Sequence, residues 1–234
     1  MAMREIVLDT ETTGFNAEGD DRIIEIGCVE LLNYIPSGET YHVYINPKRE
    51  VPIEAQNVHG ITTDFLRDKP LFREVADGFL EFIQGDTLII HNASFDIGFL
   101  NAELKRVRRP IIEMGRVLDT LAMARRKYPA GPNSLDALCR RYNIDNSNRT
   151  YHGALLDSEL LADVYLELSG QRQANLELAA EARPQLNPET GTNINSRRRS
   201  TPLPQIRTAE ETTAHEEFIA TLKGVSVWSL YQDK

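Results

Sequence analysis

Cysteine occurs only twice in this chain of 234 residues, and tryptophan once. Cys28 and Cys139 lie far apart and match no metal-ligand spacing, which excludes a disulfide-stapled or zinc-clustered fold and predicts two reduced, buried thiols. No stretch approaches eighteen consecutive apolar residues, and the start MAMREIVLDTE has no apolar signal-peptide core. A cytoplasmic chain without membrane contact is expected. Positive charge is also in deficit, with a formal net charge of -9. Residues 171–234 hold eight basic and eight acidic side chains, so the first 170 residues carry the whole imbalance. An acidic domain does not hold a polyanion by its general field; any work on nucleic acid would need a cation or a partner.

Apolar residues make up 41% of the chain and charged ones 26%, enough for a well-buried core. Strand-like runs occupy 4–12, 23–34, 40–47, 87–91 and 115–120, with the turn-forming stretches NAEGDD and IPSGE separating the first three at hairpin distances. Helical periodicity then dominates. Phe72, Val75, Ala76 and Phe79, with Phe82 or Ile83, form one stripe, and similar stripes occur in FDIGFLNAELKRV, TLAMARRKY, SLDALCRRY and ALLDSELLADVYLEL. The helix between the last two strands suits a parallel crossover. The pattern predicts an α/β fold with a mixed sheet flanked by helices.

After Gly170 the chain becomes polar and rich in Pro, Asn, Thr and Ser, as a flexible linker is. TAEETTAHEEFIATLKG, near the end, has the charge polarity of a short helix. Three segments are therefore expected: a domain over 1–170, a linker over 171–208 and a terminal segment over 209–234.

Four carboxylates stand where a core is expected. Asp9 and Glu11 share one face at the end of the first strand. At about 5 Å and an effective dielectric near 20, two such charges repel by roughly 3 kcal/mol. Asp96 falls on the apolar stripe of Leu100, Leu104 and Val107, and Asp157 on that of Ala154, Leu161, Val164 and Leu168. Neither stripe contains a basic residue, so divalent cations are the expected partners. Oxygen donors without cysteine suit Mg²⁺ or Mn²⁺. On a continuous helix His152 would point roughly 140° away from Asp157, but Gly153 predicts a helix starting just after it. From a loop, His152 can lean over the same cations as a general base. Carboxylates holding paired cations are suited to cleaving phosphodiesters.

DTET (9–12), HNASFD (91–96) and HGALLD (152–157) resemble the three motifs of the DEDD exonucleases, in the histidine-containing DEDDh branch. VHGIT (58–62), NSLDALCRRY (133–142) and YHGALLDSELLADVY (151–165) extend the resemblance to the epsilon proofreading subunits of bacterial DNA polymerase III. This resemblance implies an RNase H-like fold with a five-stranded mixed sheet and a flexible C-terminal tail. It implies that Asp9 bridges two divalent cations, Glu11 and Asp157 complete the site of the one that activates water, and Asp96 supports the second. His152 would be the general base. Asp9, Glu11 and Asp157 would also face the substrate, together with Glu54 and His59 from the loop PIEAQNVHG. Phe95 is expected in the core and Asp119 as a helix cap.

DNA 3′ ends would be the substrate and the catalytic alpha subunit of the polymerase the partner, with a small theta-type subunit left open. QANLEL (173–178) resembles a sliding-clamp-binding peptide, anchored by Gln173, Leu176 and Leu178, and the segment around Phe218, Leu222 and Trp228 would dock on the polymerase. The expected activity is 3′→5′ exonucleolytic proofreading. An exoribonuclease of the same superfamily and a non-catalytic adaptor remain as alternatives.

Overall fold

The computed structural model describes residues 3–147, 149–171 and 208–221. The chain divides into two compact units, Met1–Glu181 and Ala182–Lys234. In the first, five strands form one sheet: β1 (Arg4–Thr12), β2 (Ile23–Leu32), β3 (Ile35–Tyr44), β4 (Thr87–Ile90) and β5 (Val117–Asp119). Their order is β3-β2-β1-β4-β5. β1 runs antiparallel to β2 and parallel to β4, β2 antiparallel to β3, and β4 parallel to β5, as the mixed-sheet expectation required.

Seven α-helices and one short 3-10 turn (Met114–Arg116) accompany the sheet among the described residues of this unit: α1 (Ile53–His59), α2 (Thr63–Leu66), α3 (Phe72–Ile83), α4 (Ala93–Arg106), α5 (Thr120–Lys127), α6 (Leu135–Tyr142) and α7 (Ala154–Ser169). Alternation along β1 feeds two cores. Ile6 and Leu8 pack with Phe79, Leu100 and Leu104 on the α3/α4 side, whereas Val7 joins Leu138, Leu161 and Val164 on the α6/α7 side. Both cysteines are free and buried.

The second hairpin differs from the expectation. Its turn is Asn33–Tyr34, both at positive φ (52° and 68°), the geometry of a tight two-residue turn. IPSGE lies inside β3. Val29 pairs with Thr40 while Leu31 pairs with Pro36, so Ser37, Gly38 and Glu39 bulge out, with Gly38 at φ 93°. A Ser-Gly pair serves a bulge as readily as a turn, which is why composition alone misplaces the strand. The PIEAQNVHG segment, without a helical signal in its sequence, contains α1.

In the second unit the described element is α8 (Ala209–Thr221), the short helix expected from its charge polarity. Phe218 on it is exposed. Gln173, Leu176, Leu178, Leu222 and Trp228, with most of the expected linker, lie outside the described residues. Among the described residues no helix is long and apolar enough to cross a membrane.

Candidate active site

The site begins where β1 loses a neighbour. β4 pairs with β1 only from Glu5 to Val7, so the last turn of β1, with Asp9 and Glu11, is free on that side. Asp9 and Glu11 share the face of Val7 and look toward α7. On the opposite face Thr10 looks toward α4. Its N–H and hydroxyl both donate to Asp96 Oδ1, at 3.1 and 2.7 Å. Asn92 makes the sharp passage from β4 into α4 at φ 67°, which places Asp96 in the first helical turn. Asp157 is likewise in the first turn of α7, directly after Gly153. Helix N-termini favour negative charge at both positions.

Asp9, Glu11, Asp96, His152 and Asp157 line one cavity of about 670 Å³. Within it, Glu11, His152 and Asp157 each offer a ligand atom, all within 4.8 Å of one another. Asp96 is buried, Asp9 half-buried, and His152 exposed. The His152 backbone N–H donates to the Val58 carbonyl at 3.1 Å, which pins the histidine loop to the end of α1.

Crowding shows in the acidities. Burial, then Asp96, Glu11 and Asp157, raise the Asp9 carboxyl well above its ordinary range. Burial, then Asp157 and Glu25, push Glu11 up to about 8, and burial pushes Asp96 up to about 7. Burial also acts on Asp157, but the adjacent His152 ring and the Arg149 guanidinium prevail and hold it below the usual carboxylate range.

Arg149 corrects the expectation that no basic side chain serves these acids. It comes from the loop before α7 rather than from a helical stripe, and it donates to both Asp157 oxygens, at 2.6 and 2.5 Å. A second residue without a sequence signal is Glu25 on β2, directly across from Glu11. Glu25 Oε2 accepts the Ala154 N–H at 3.1 Å, at the start of α7, and Oε1 meets His42 Nε2 at 2.7 Å. Asp119 does cap α5, accepting from Leu121 and Ala122, and also receives the Asn92 N–H at 3.2 Å.

Glu54 and His59 stand in a second, mainly apolar cavity of about 710 Å³, which shares Thr10, Glu11 and Phe95 with the first. Phe95 is half-buried rather than a full core residue; its ring lies 5.0 Å from Phe99 and 6.3 Å from the exposed Phe15. His59 is buried, its Nδ1 accepts the Ile61 N–H at 3.0 Å, and its Nε2 has no hydrogen-bond partner. Burial lowers its pKa and keeps the ring neutral, with the Thr12 backbone nearby, so Nε2 carries the proton.

Residues 6–165 match the exonuclease family RNase_T. DNA polymerase III subunit epsilon of Escherichia coli is 48% identical over 96% of this chain and 97% of its own length. The epsilon subunit of Rickettsia conorii is 46% identical over 94% and 97%. The chain belongs to the exonuclease family, among its DNA polymerase III epsilon subunits. Solved structures of exonucleases share the fold. Exonuclease X in complex with 5′ overhanging duplex DNA has a TM-score of 0.56 at 25% identity, covering 71% of this chain and 92% of that one. The nuclease domain of 3′hExo, a DEDDh family member bound to rAMP, has a TM-score of 0.62 at 18% identity, covering 73% and 93%.

The donor set fits the divalent metal ions on which exonucleases of this family depend. It is all oxygen and imidazole, it is strained by mutual repulsion, and at Asp157 it already binds a cationic guanidinium.

Proposed function

We propose that the chain removes nucleotides from DNA 3′ ends, as the proofreading exonuclease of a replicative polymerase in the cytoplasm. The observation that carries this reading is the meeting of Asp96 and Asp157, from helices on opposite faces of the sheet, with Asp9 and Glu11 beside His152. Asp9, Glu11, Asp96 and Asp157 would hold two divalent ions, Mg²⁺ or Mn²⁺ by the hardness of the donors. Once bound, these ions supply Lewis acidity to the attacking and leaving oxygens.

The remaining work falls to the chain's own side chains. His152, exposed at the cavity mouth, takes the proton of the attacking water. Thr10 fixes Asp96 through two hydrogen bonds, so the ligand does not swing with α4. The apolar cavity beside Glu11 receives the terminal nucleoside. There His59 Nε2–H and the Glu54 carboxylate offer a donor and an acceptor to the sugar, and Phe95 and Phe15 offer ring faces to a base. A frayed end enters most easily, since a mismatch lowers the cost of unpairing.

The acidic charge of the first unit fits an enzyme held at its substrate by a partner. The names of its relatives point to the polymerase as that partner.

Purified protein given DNA and RNA oligonucleotides of the same sequence should shorten the DNA faster from its 3′ end, and EDTA should stop it. Faster turnover of RNA would overturn the DNA assignment. Cleavage that survives EDTA would overturn the metal assignment.

A further inference from the structure

Arg149 is the least expected member of the site. Its side chain is only 6% exposed although it springs from a loop. The guanidinium meets four acceptor atoms on three residues at once: both oxygens of Asp157, His152 Nδ1 at 2.7 Å from Nη2, and Asp136 Oδ1 at 2.7 Å from Nη1. Asp136 belongs to α6 and lines the same cavity, but it is not one of the carboxylates expected to hold a cation, so it anchors the arginine from the cavity wall.

We propose that Arg149 and a divalent cation are rivals for Asp157, and that the guanidinium restrains both this carboxylate and the His152 base until the cation displaces it. The inference rests on the metal-site reading given above. Each Asp157 oxygen already accepts a charge-assisted N–H bond, and a cation approaching either oxygen meets a fixed positive charge. His152 is restrained by the same group. Because its Nδ1 lone pair accepts from Arg149, the neutral ring carries its proton on Nε2, and neither nitrogen is free to take a proton from water.

A single withdrawal of the guanidinium would release ligand and base together. Asp136 gives it a place to go: Arg149 can leave Asp157 without losing every partner. Base readiness would thus be tied to cation loading, and a chain without its cations would hold an inactive histidine.

The test uses the full chain, stripped with EDTA and titrated with Mg²⁺ by calorimetry, with ¹⁵N-histidine NMR reading the protonation pattern of His152. Arg149→Gln should tighten Mg²⁺ binding by roughly tenfold. Arg149→Lys keeps the charge but not the planar fork, and should also bind Mg²⁺ more tightly than the parent. Asp136→Asn, which removes the partner that receives the withdrawn guanidinium, should instead weaken Mg²⁺ binding. In the parent chain the Nδ1 resonance should lose its hydrogen-bonded position when Mg²⁺ is added. In Arg149→Gln it should already differ from the metal-free parent, with Asp157 Oδ2 at 3.4 Å as its remaining neighbour, and should move less when Mg²⁺ is added.

Equal Mg²⁺ affinity in all chains, weaker binding in the arginine variants, or a parent-like lysine variant would overturn the rivalry alone. A parent Nδ1 resonance indifferent to Mg²⁺ would overturn the restraint on the base. Failure of every chain to bind Mg²⁺ would overturn the metal-site reading and the rivalry with it. Circular dichroism on each variant checks that the fold is retained.

Discussion

Single residues in this site are strained against one another. Asp9, Glu11 and Asp96 hold their protons more tightly than free carboxyls because burial and like charge disfavour the ionised form. For Glu11, raised from 4.5 to about 8, the unfolded chain loses its proton first, so the folded state binds more protons across that window. Stability then falls as pH rises through it. Thermal melting of EDTA-treated protein should therefore occur at a lower temperature at pH 8 than at pH 5, and saturating Mg²⁺ should reduce the difference; a melting temperature that climbs over this range without metal would contradict the assignment. The same logic separates activity from stability at Asp9. Asp9→Ala should abolish cleavage while leaving the melting temperature unchanged or higher, because it removes one partner of a repulsive group. Normal cleavage by that variant would sink the metal-site reading.

Among the elements, α7 does the most to build the site, and β2 holds it. Gly27 of β2 lies so close to the start of α7 that a Cβ there would stand 2.2 Å from the Ala154 carbonyl carbon and the Leu155 nitrogen. Ser158 Oγ donates to the Gly27 carbonyl at 2.9 Å, and Glu25 takes the Ala154 N–H. Gly27→Ala must push the helix outward. We expect a loss of about 1–3 kcal/mol, as in overpacked cores, with a larger proportional loss in kcat than in substrate binding; denaturant melts and steady-state kinetics on one preparation would check both.

The sequence exposed the helix stripes that bear Asp96 and Asp157 because a carboxylate interrupts an otherwise apolar period. Glu25, Arg149 and Gly27 leave no such mark: their roles depend on which strand lies under which helix. The bulge at Gly38 was hidden for a similar reason, since a glycine permits a turn and a bulge equally. The α1 segment, which carries Glu54 and His59, has too few residues to show a period, and only the family resemblance pointed to it.

For the whole molecule, the exonuclease family match ends at residue 165, and α8 lies well beyond it. If the second unit serves attachment alone, removal of residues 209–234 should leave the rate of oligonucleotide cleavage unchanged and abolish co-purification with the polymerase. A drop in cleavage would assign part of the nuclease to the tail.

The placement of the acids has one further consequence, for how the protein is made. Asp9 and Glu11 are synthesised first, Asp96 arrives with α4, and His152 and Asp157 come only with α7, the last helix described in the first unit. On the roles proposed above, a chain still emerging from the ribosome would have no complete set of ligands and no base, and a truncated product ending before α7 would never acquire one. On that reading, the exonuclease would be harmless until its own synthesis has passed residue 157.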